Sequence, residues 1–90
     1  MEFEWDENKN RVNLQQHGYP FEAALVVFDD PCRVMQFDHK HSAQEFRAFC
    51  FGKVDGKVLT VRFNWRSGKV RVIGVGHWRK GEKIYEEKNQ

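Results

Sequence analysis

The first third of the chain contains two stretches with the spacing expected of helices. Asp6 is suited to cap a helix over residues 7–16, and Gly18 is suited to end it, because glycine readily takes the left-handed conformation. Only Val12 and Leu14 are strongly apolar in this stretch. The first helix is therefore predicted to lie on the surface.

A second helix is predicted after Pro20, which suits the first turn of a helix. Three apolar residues follow at helical spacing, Phe21, Ala24 and Phe28. The run Asp29-Asp30-Pro31 is expected to end this helix.

From residue 33 the apolar positions change to the alternation that is typical of strands. Residues 33–37 could form one strand, and a polar loop follows. Three more strands are predicted over residues 45–53, 57–65 and 69–76, joined by turns at Asp55-Gly56 and Ser67-Gly68. Since both turns are too short for a crossover connection, these three strands are expected to form an antiparallel meander.

The chain is predicted to end in a short helix over residues 79–88, with Gly81 easing the turn into it. The fold class is thus α+β, with two N-terminal helices packed on an antiparallel meander and a short C-terminal helix. Ninety residues without a repeat or linker indicate a single domain, residues 1–90.

The compartment is expected to be the cytoplasm. No apolar run approaches the ~20 residues of a membrane span, and the first residues are acidic, unlike a signal peptide. Cys32 and Cys50 match neither a zinc spacing nor a redox pair, and both are predicted to be reduced packing residues.

Charge is divided unevenly along the chain, although the net charge is only +2. Residues 1–30 hold seven acidic and two basic side chains, whereas residues 62–83 hold one acidic side chain and seven basic ones. Those bases are Arg62, Arg66, Lys69, Arg71, Arg79, Lys80 and Lys83. Clustered Lys and Arg attract phosphate, so the second half suggests a polyanionic partner, with an ordinary solvated surface as the alternative.

The glycines around the basic pair Arg79-Lys80 raise the question of a nucleotide-binding loop. The dinucleotide fingerprint G-x-G-x-x-G fails, because four residues separate Gly76 from Gly81. The triphosphate fingerprint requires Lys and then Ser or Thr, where this chain has Glu82-Lys83. We interpret Gly74 and Gly76 as strand-end positions that permit a bulge or close backbone approach.

The histidines do not indicate a metal site, and no cofactor is expected. Asp38, His39 and His41 lie in a polar stretch with no second cluster of ligands nearby, so a solvated loop is the preferred interpretation. His17, at the end of the first helix, is interpreted as a partner of the helix dipole.

The basic residues suit cleavage of RNA by its own 2′-hydroxyl group. That reaction requires a base for the hydroxyl proton, a proton donor for the leaving oxygen and cations around phosphorus. Suitable side chains are Arg62, Arg66, Arg71, His77, Arg79, Lys80 and Tyr85. Phosphate binding alone would use the same residues, so both catalysis and binding stay open.

Four segments, in order along nearly the whole chain, resemble the BrnT family of ribonuclease toxins. They are "FEWDENKNRVNLQQHG", which includes Lys9, Asn13 and His17-Gly18, then "FEAALVVFDDP", "HSAQEFRAFCFG" and "RVIGVGHWRKGEKIYEE". The resemblance implies a RelE-like fold and metal-independent RNA cleavage that inhibits growth. It also implies a BrnA-like antitoxin with a ribbon-helix-helix DNA-binding domain, a 2:2 assembly, and contact with operator DNA only through the antitoxin.

The motif match and the basic second half of the chain together give two groups of candidate residues. The catalytic candidates are Glu45, Arg62, Arg66, His77, Arg79, Lys80 and Tyr85, with Glu45 or His77 as the base. The RNA-binding candidates are Arg47, Lys69, Arg71 and Lys83. Structural alternatives are a pairing of Glu45 with Arg47 and the packing of Tyr85 on the sheet.

The chain departs from the family at one cationic position. Many members read I-S-A-R near the last strand, and the arginine of that motif falls on Gly76 here. Losing one donor to a transition state commonly costs ~2.7–4 kcal/mol. A binding module that keeps its antitoxin but has lost hydrolysis is therefore the second hypothesis. A DNA-binding protein ranks last, because no predicted helix has a concentrated basic face.

Overall fold

In a computed structural model, residues 1–41 and 46–90 of the chain are described. The helices are α1 (Glu7–His17), α2 (Ala23–Asp29) and α3 (Arg79–Lys88), and a 3₁₀ turn covers His39–His41. The strands are β1 (Glu2–Glu4), β2 (Val34–Phe37), β3 (Arg47–Val54), β4 (Lys57–Arg66) and β5 (Lys69–Gly76). The predicted α+β class is confirmed.

Both ends of α1 lie where the sequence predicts them. The Asp6 carboxylate accepts hydrogen bonds from the second and third backbone N–H groups of the helix, at 2.8 and 3.1 Å. Gly18 ends the helix with φ of +80°. Val12 and Leu14 are 48% and 47% exposed, so the surface position is confirmed. The face that α1 buries is polar instead, with Asn10 and Asn13.

The second helix is confirmed, although it begins at Ala23, slightly later than predicted. Phe21, Ala24 and Phe28 are all buried, as their spacing indicated. They pack with the alternate residues of the central strands, such as Cys50 and Val61, in the main hydrophobic core.

The strands form one five-stranded sheet in the order β1-β5-β4-β3-β2. The antiparallel meander β3-β4-β5 is confirmed, and β2 joins it antiparallel to β3. β1 pairs in parallel with β5, from Glu2 opposite Lys69 to Glu4 opposite Arg71. This parallel pairing makes the sheet mixed and was not predicted, because a three-residue strand is too short to show a period and its partner is distant in sequence.

A β-bulge at Ile73 sets which residues of β5 face which side of the sheet. Arg62 pairs with Gly74 and Phe63 with Val72, so Ile73 is an extra residue in β5. As a result, Val72 and Val75 both enter the core, although they are three residues apart. Gly74 then faces the same side as Arg62, opposite the core.

The two faces of the sheet carry different helices. α2 covers the face with the main core, whereas Tyr85 of α3 packs with Phe51 and Val58 on the other face. Gly81 lies inside α3 and not in the turn before it, so its predicted role is corrected. A Cβ atom there would overlap Thr60 Oγ1 and lie 2.8 Å from the Phe51 ring. Glycine is needed because α3 lies almost directly on the strands.

Asp30 connects three parts of the fold. Its carboxylate accepts hydrogen bonds from the backbone N–H groups of Cys32 and Lys53, both at 2.8 Å, and from the Tyr85 hydroxyl at 2.7 Å. The end of α2, β3 and α3 are thereby tied to one side chain.

The two cysteines are free thiols in different environments. Cys50 is buried in the core, as predicted, and burial raises the pKa of its thiol to about 12. Cys32 is exposed, so the prediction that it is a packing residue is wrong. It lies in the turn that follows Asp30, where only its backbone N–H group is bonded to that carboxylate.

Candidate active site

A cleft of about 390 Å³ opens on the α3 face of the sheet. We call it the central cleft, and its lining residues are Asn13, His17, Phe49, Thr60, Arg62, Gly74, Val75, Gly76, His77 and Trp78. They come from the second half of α1, the three meander strands and the two residues between β5 and α3. Residues far apart in sequence therefore meet at one place.

Arg62 is the cation at the middle of this region. Its side chain lies across Gly74, since a Cβ atom at that position would be 2.9 Å from both Nε and Nη2. Arg62 also lines two neighbouring clefts of about 530 and 280 Å³. An exposed guanidinium at the junction of three clefts is placed to bind an extended anion.

His17 faces Gly76 from the end of α1. The position of a Cβ atom on Gly76 is 3.6 Å from Cβ and 3.8 Å from Nδ1 of His17, which is ordinary contact. Asn13, one helical turn earlier, donates to the Val75 carbonyl at 2.8 Å and accepts from the Val75 N–H group at 3.2 Å. These bonds hold α1 against β5 and fix the wall that carries His17.

His77 follows β5 directly and contacts the first turn of α3. Its Nε2 atom is 3.2 Å from Glu82 Oε2. Because a carboxylate accepts hydrogen bonds, a neutral His77 in this contact carries its proton on Nε2 and has a lone pair on Nδ1. Glu82 thus orients an imidazole that can accept a proton.

An aromatic wall separates the central cleft from the 530 Å³ cleft. The ring centroids of Phe49 and Trp78 are 5.6 Å apart, and Trp78 is 40% exposed. The Lys80 ammonium lies 5.9 Å from the Trp78 ring. Lys80 and Arg47 both line the 530 Å³ cleft.

Five other candidates from the sequence lie elsewhere. Lys69 is 3.9 Å from Glu2, and Arg71 is 3.2 Å from Glu4, so the acidic strand β1 offsets both charges. Arg66 is four residues beyond Arg62 on β4, about 13 Å along the strand. Arg79 and Lys83 are exposed on α3. Arg66, Arg79 and Lys83 do not line the three clefts that Arg62 joins.

Tyr85 is placed in a packing role and not in the central cleft. Its side chain is buried, with 5% exposure, and its hydroxyl donates to Asp30. Burial and the Asp30 contact raise the pKa of Tyr85 to about 12. Tyr85 packs on the sheet against Phe51 and Val58, which is the arrangement that the alternative interpretation from the sequence expects.

Glu45, the alternative base, lies outside the described residues. Within residues 1–41 and 46–90, no three His, Cys, Asp or Glu side chains are grouped as ligands for a metal ion.

Sequence reasoning missed the contribution of α1 to this site. Lys9 lines the 280 Å³ cleft together with Arg62, and His17 lines both that cleft and the central one. Lys9, Asn13 and His17 recur every four residues, which places them on one face of the helix. That polar spacing was the available signal, although an apolar pattern is what usually reveals a buried helix face.

Residues 5–82 match the family model described as ribonuclease toxin, BrnT, of type II toxin–antitoxin system. This match covers most of the 90-residue chain. No curated protein matches the chain. In the described part of the chain, no helix has the length and apolar character to cross a membrane.

Proposed function

The chain belongs to the BrnT family of ribonuclease toxins of type II toxin–antitoxin systems, and we propose that it is a metal-independent endoribonuclease whose active site is the central cleft. The observation that carries this proposal is the position of Arg62. An exposed guanidinium lies over the Gly74 backbone, where three clefts meet and where an imidazole, an aromatic wall and further cations converge.

Arg62 is proposed to bind the scissile phosphate. A guanidinium presents several N–H donors in a plane and can contact two phosphate oxygens at once. Its charge also stabilises the negative charge that develops on the oxygens during attack at phosphorus. The three clefts leave room for the chain of nucleotides to continue on either side.

His77 is proposed as the base that removes the 2′-hydroxyl proton. The contact with Glu82 directs Nε2 toward the carboxylate, so Nδ1 is the atom that accepts the proton. The Glu82 carboxylate also stabilises the imidazolium that forms, as a carboxylate partner commonly does. Glu45 stays a second candidate for this role.

The RNA on either side of the phosphate is proposed to contact the 530 Å³ cleft. Trp78 is sufficiently exposed for a base to stack on it, and stacking on aromatic side chains is common in single-stranded RNA recognition. Arg47 and Lys80 supply positive charge in the same cleft. Arg66, Arg79 and Lys83 are proposed to act only as outer RNA contacts.

A type II toxin implies an antitoxin partner. We propose that this partner is a BrnA-like protein with a ribbon-helix-helix domain, that the two assemble 2:2, and that the antitoxin alone contacts operator DNA. Growth inhibition by the free toxin in the cytoplasm would follow from RNA cleavage.

The test is cleavage of RNA by the purified protein in EDTA. Wild-type protein is expected to cleave, and Arg62→Ala is expected to lower the rate by about 10²–10³-fold, as the loss of one donor to the transition state does. Arg11→Ala is the matched control, because Arg11 is an exposed arginine on α1 that does not line the clefts. Intact RNA at high wild-type concentration, with normal growth on expression, would count against the proposal.

The departure at Gly76 supports a second candidate function, a module that binds its antitoxin without hydrolysis. In this case Arg62→Ala and Lys80→Ala would leave any effect on growth unchanged. Under the nuclease proposal, the same substitutions reduce toxicity together with RNA cleavage in vitro.

A further inference from the structure

We infer that His17 is the second proton-transfer group of the central cleft, the acid that protonates the 5′-oxygen as it leaves phosphorus. This inference rests on the proposed RNA cleavage and adds the group that the sequence left unidentified.

Gly74 and Gly76 are two residues apart on the same side of β5. The guanidinium of Arg62 lies against the first, and the imidazole of His17 lies against the second. Two residues along a strand span roughly 6.6 Å. A phosphate group bound over this part of β5 can therefore be contacted by Arg62 from one side and by His17 from the other, since each hydrogen bond is ~2.9 Å long.

Gly76 leaves the space in front of the imidazole open. Any side chain at this position would start in contact with His17, because the Cβ position is 3.6 to 3.8 Å from its Cβ and Nδ1 atoms. A longer side chain would extend over the cleft. Gly76 stands where many family members have an arginine. Its lack of a side chain leaves the His17 imidazole open to the cleft at that position.

The position of His17 suits a proton donor. It is the last residue of α1, and the carbonyl end of a helix stabilises positive charge. The charged and titratable groups around the clefts that it lines are Lys9, Arg62 and His77, the last of which contacts Glu82. The bound phosphate supplies the negative charge that a protonated His17 would face.

The complete step is balanced in atoms and protons. The 2′-oxygen forms a bond to phosphorus while its proton passes to Nδ1 of His77. The bond from phosphorus to the 5′-oxygen breaks, and that oxygen receives a proton from His17. The products are a 2′,3′-cyclic phosphate and a 5′-hydroxyl group, and no water, metal or external reactant is consumed.

The test compares two substrates, an ordinary dinucleotide and one in which sulfur replaces the bridging 5′-oxygen. Thiols have pKa values near 8.5, so a thiolate leaves without an acid. His17→Gln is expected to lower kcat/KM on the oxygen substrate by about 10²–10⁴-fold. On the sulfur substrate it should stay within tenfold of wild type, whereas His77→Gln should be slow on both substrates.

Gln15→Ala, an exposed change on the same helix, is the control for effects on α1. Thermal unfolding identifies folded variants, and His17→Asn replaces His17→Gln if the latter does not fold. A His17 variant that cleaves RNA at the wild-type rate, or that is equally slow on both substrates, would overturn the acid role while the nuclease proposal stands. A wild-type protein that cleaves neither substrate would instead remove the nuclease proposal itself.

Discussion

The side-chain amide of Asn13 makes both hydrogen bonds of a neighbouring strand with the backbone of Val75. It donates to the carbonyl at 2.8 Å and accepts from the N–H group at 3.2 Å. The same amide also donates to the Tyr19 carbonyl at 2.8 Å. One polar side chain therefore docks α1 onto β5, in place of the apolar contacts that usually hold a helix on a sheet.

Asn13→Ala is expected to lower the free energy of unfolding by about 1–3 kcal/mol, because buried backbone groups of Val75 lose their partner. RNA cleavage should fall as well, since His17 is on the same helix face. Chemical denaturation measures the free energy of unfolding, and hydrogen exchange reports the lost partner at the Val75 amide. An RNA cleavage assay measures the activity. Gln15→Ala should change neither, and an Asn13→Ala protein of wild-type stability would contradict this account.

Gly74→Ala is expected to reduce activity more than stability. The added methyl group would be 2.9 Å from Arg62 Nε and Nη2, so the flexible guanidinium must move. Misplacement of a catalytic group by about 1 Å can cost on the order of 10²-fold in rate. Steady-state RNA cleavage together with thermal unfolding separates the two effects.

Gly76→Ala is the matched change for Gly74→Ala, because its methyl group meets only ordinary contacts with His17. It should keep most of the activity that Gly74→Ala loses. Equal rates for the two variants would show that the position of the guanidinium over Gly74 is unimportant.

Gly81→Ala is expected to destabilise the fold by about 1–3 kcal/mol through overpacking. Alanine has the better helix propensity by ~1 kcal/mol, so propensity alone predicts the opposite sign. The overlap with Thr60 and the short distance to Phe51 decide the outcome. Thr60→Ala should restore part of the lost stability in the double variant, because it removes the overlapping oxygen. Urea denaturation of the two single variants and the double variant gives this double-mutant cycle.

The Tyr85–Asp30 pair makes stability depend on pH at the alkaline end. Burial and the Asp30 hydrogen bond raise the pKa of Tyr85 in the folded state from the ordinary value of 10.0 to about 12. This contribution is fully present below pH 10. It is lost as pH rises toward 12, because the unfolded state releases the proton first.

Tyr85→Phe should therefore be less stable than wild type at pH 8, where it lacks the hydrogen bond. The difference should become smaller between pH 10 and 12. Denaturation curves at several pH values measure both effects, and a difference that stays constant over that interval would contradict the raised pKa.

Local patterns were sufficient to predict much of the fold. Asp6 and Gly18 mark the ends of α1, and the two glycine-containing turns fix the meander, because each signal acts over a few residues. The parallel pairing of β1 with β5 joins residues 67 positions apart, and nothing local marks it. The charge division misled for the same reason, since Glu2 and Glu4 of the acidic half neutralise Lys69 and Arg71 of the basic half.

The site was predictable only in part, because the bulge at Ile73 reverses the alternation of β5. Strict alternation would put Val70, Val72, Gly74 and Gly76 on one face. In the structure the two valines enter the core, and Gly74 faces Arg62 on the opposite side. Arg62 and His77 could be named from residue type. The contact of Arg62 with Gly74, and that of His77 with the first turn of α3, depend on the strand register, which the sequence did not reveal.

The contact of Asn13 with Val75 also determines when the central cleft can form during translation. It spans 62 residues, and the central cleft combines a wall from α1 with strands and a loop that are translated much later. Contacts between such distant positions form only after the intervening chain has been made. A nascent chain that stops before β5 has the helix carrying His17 but lacks the strand that holds it, so the central cleft can be completed only after the residues up to Trp78 have emerged from the ribosome.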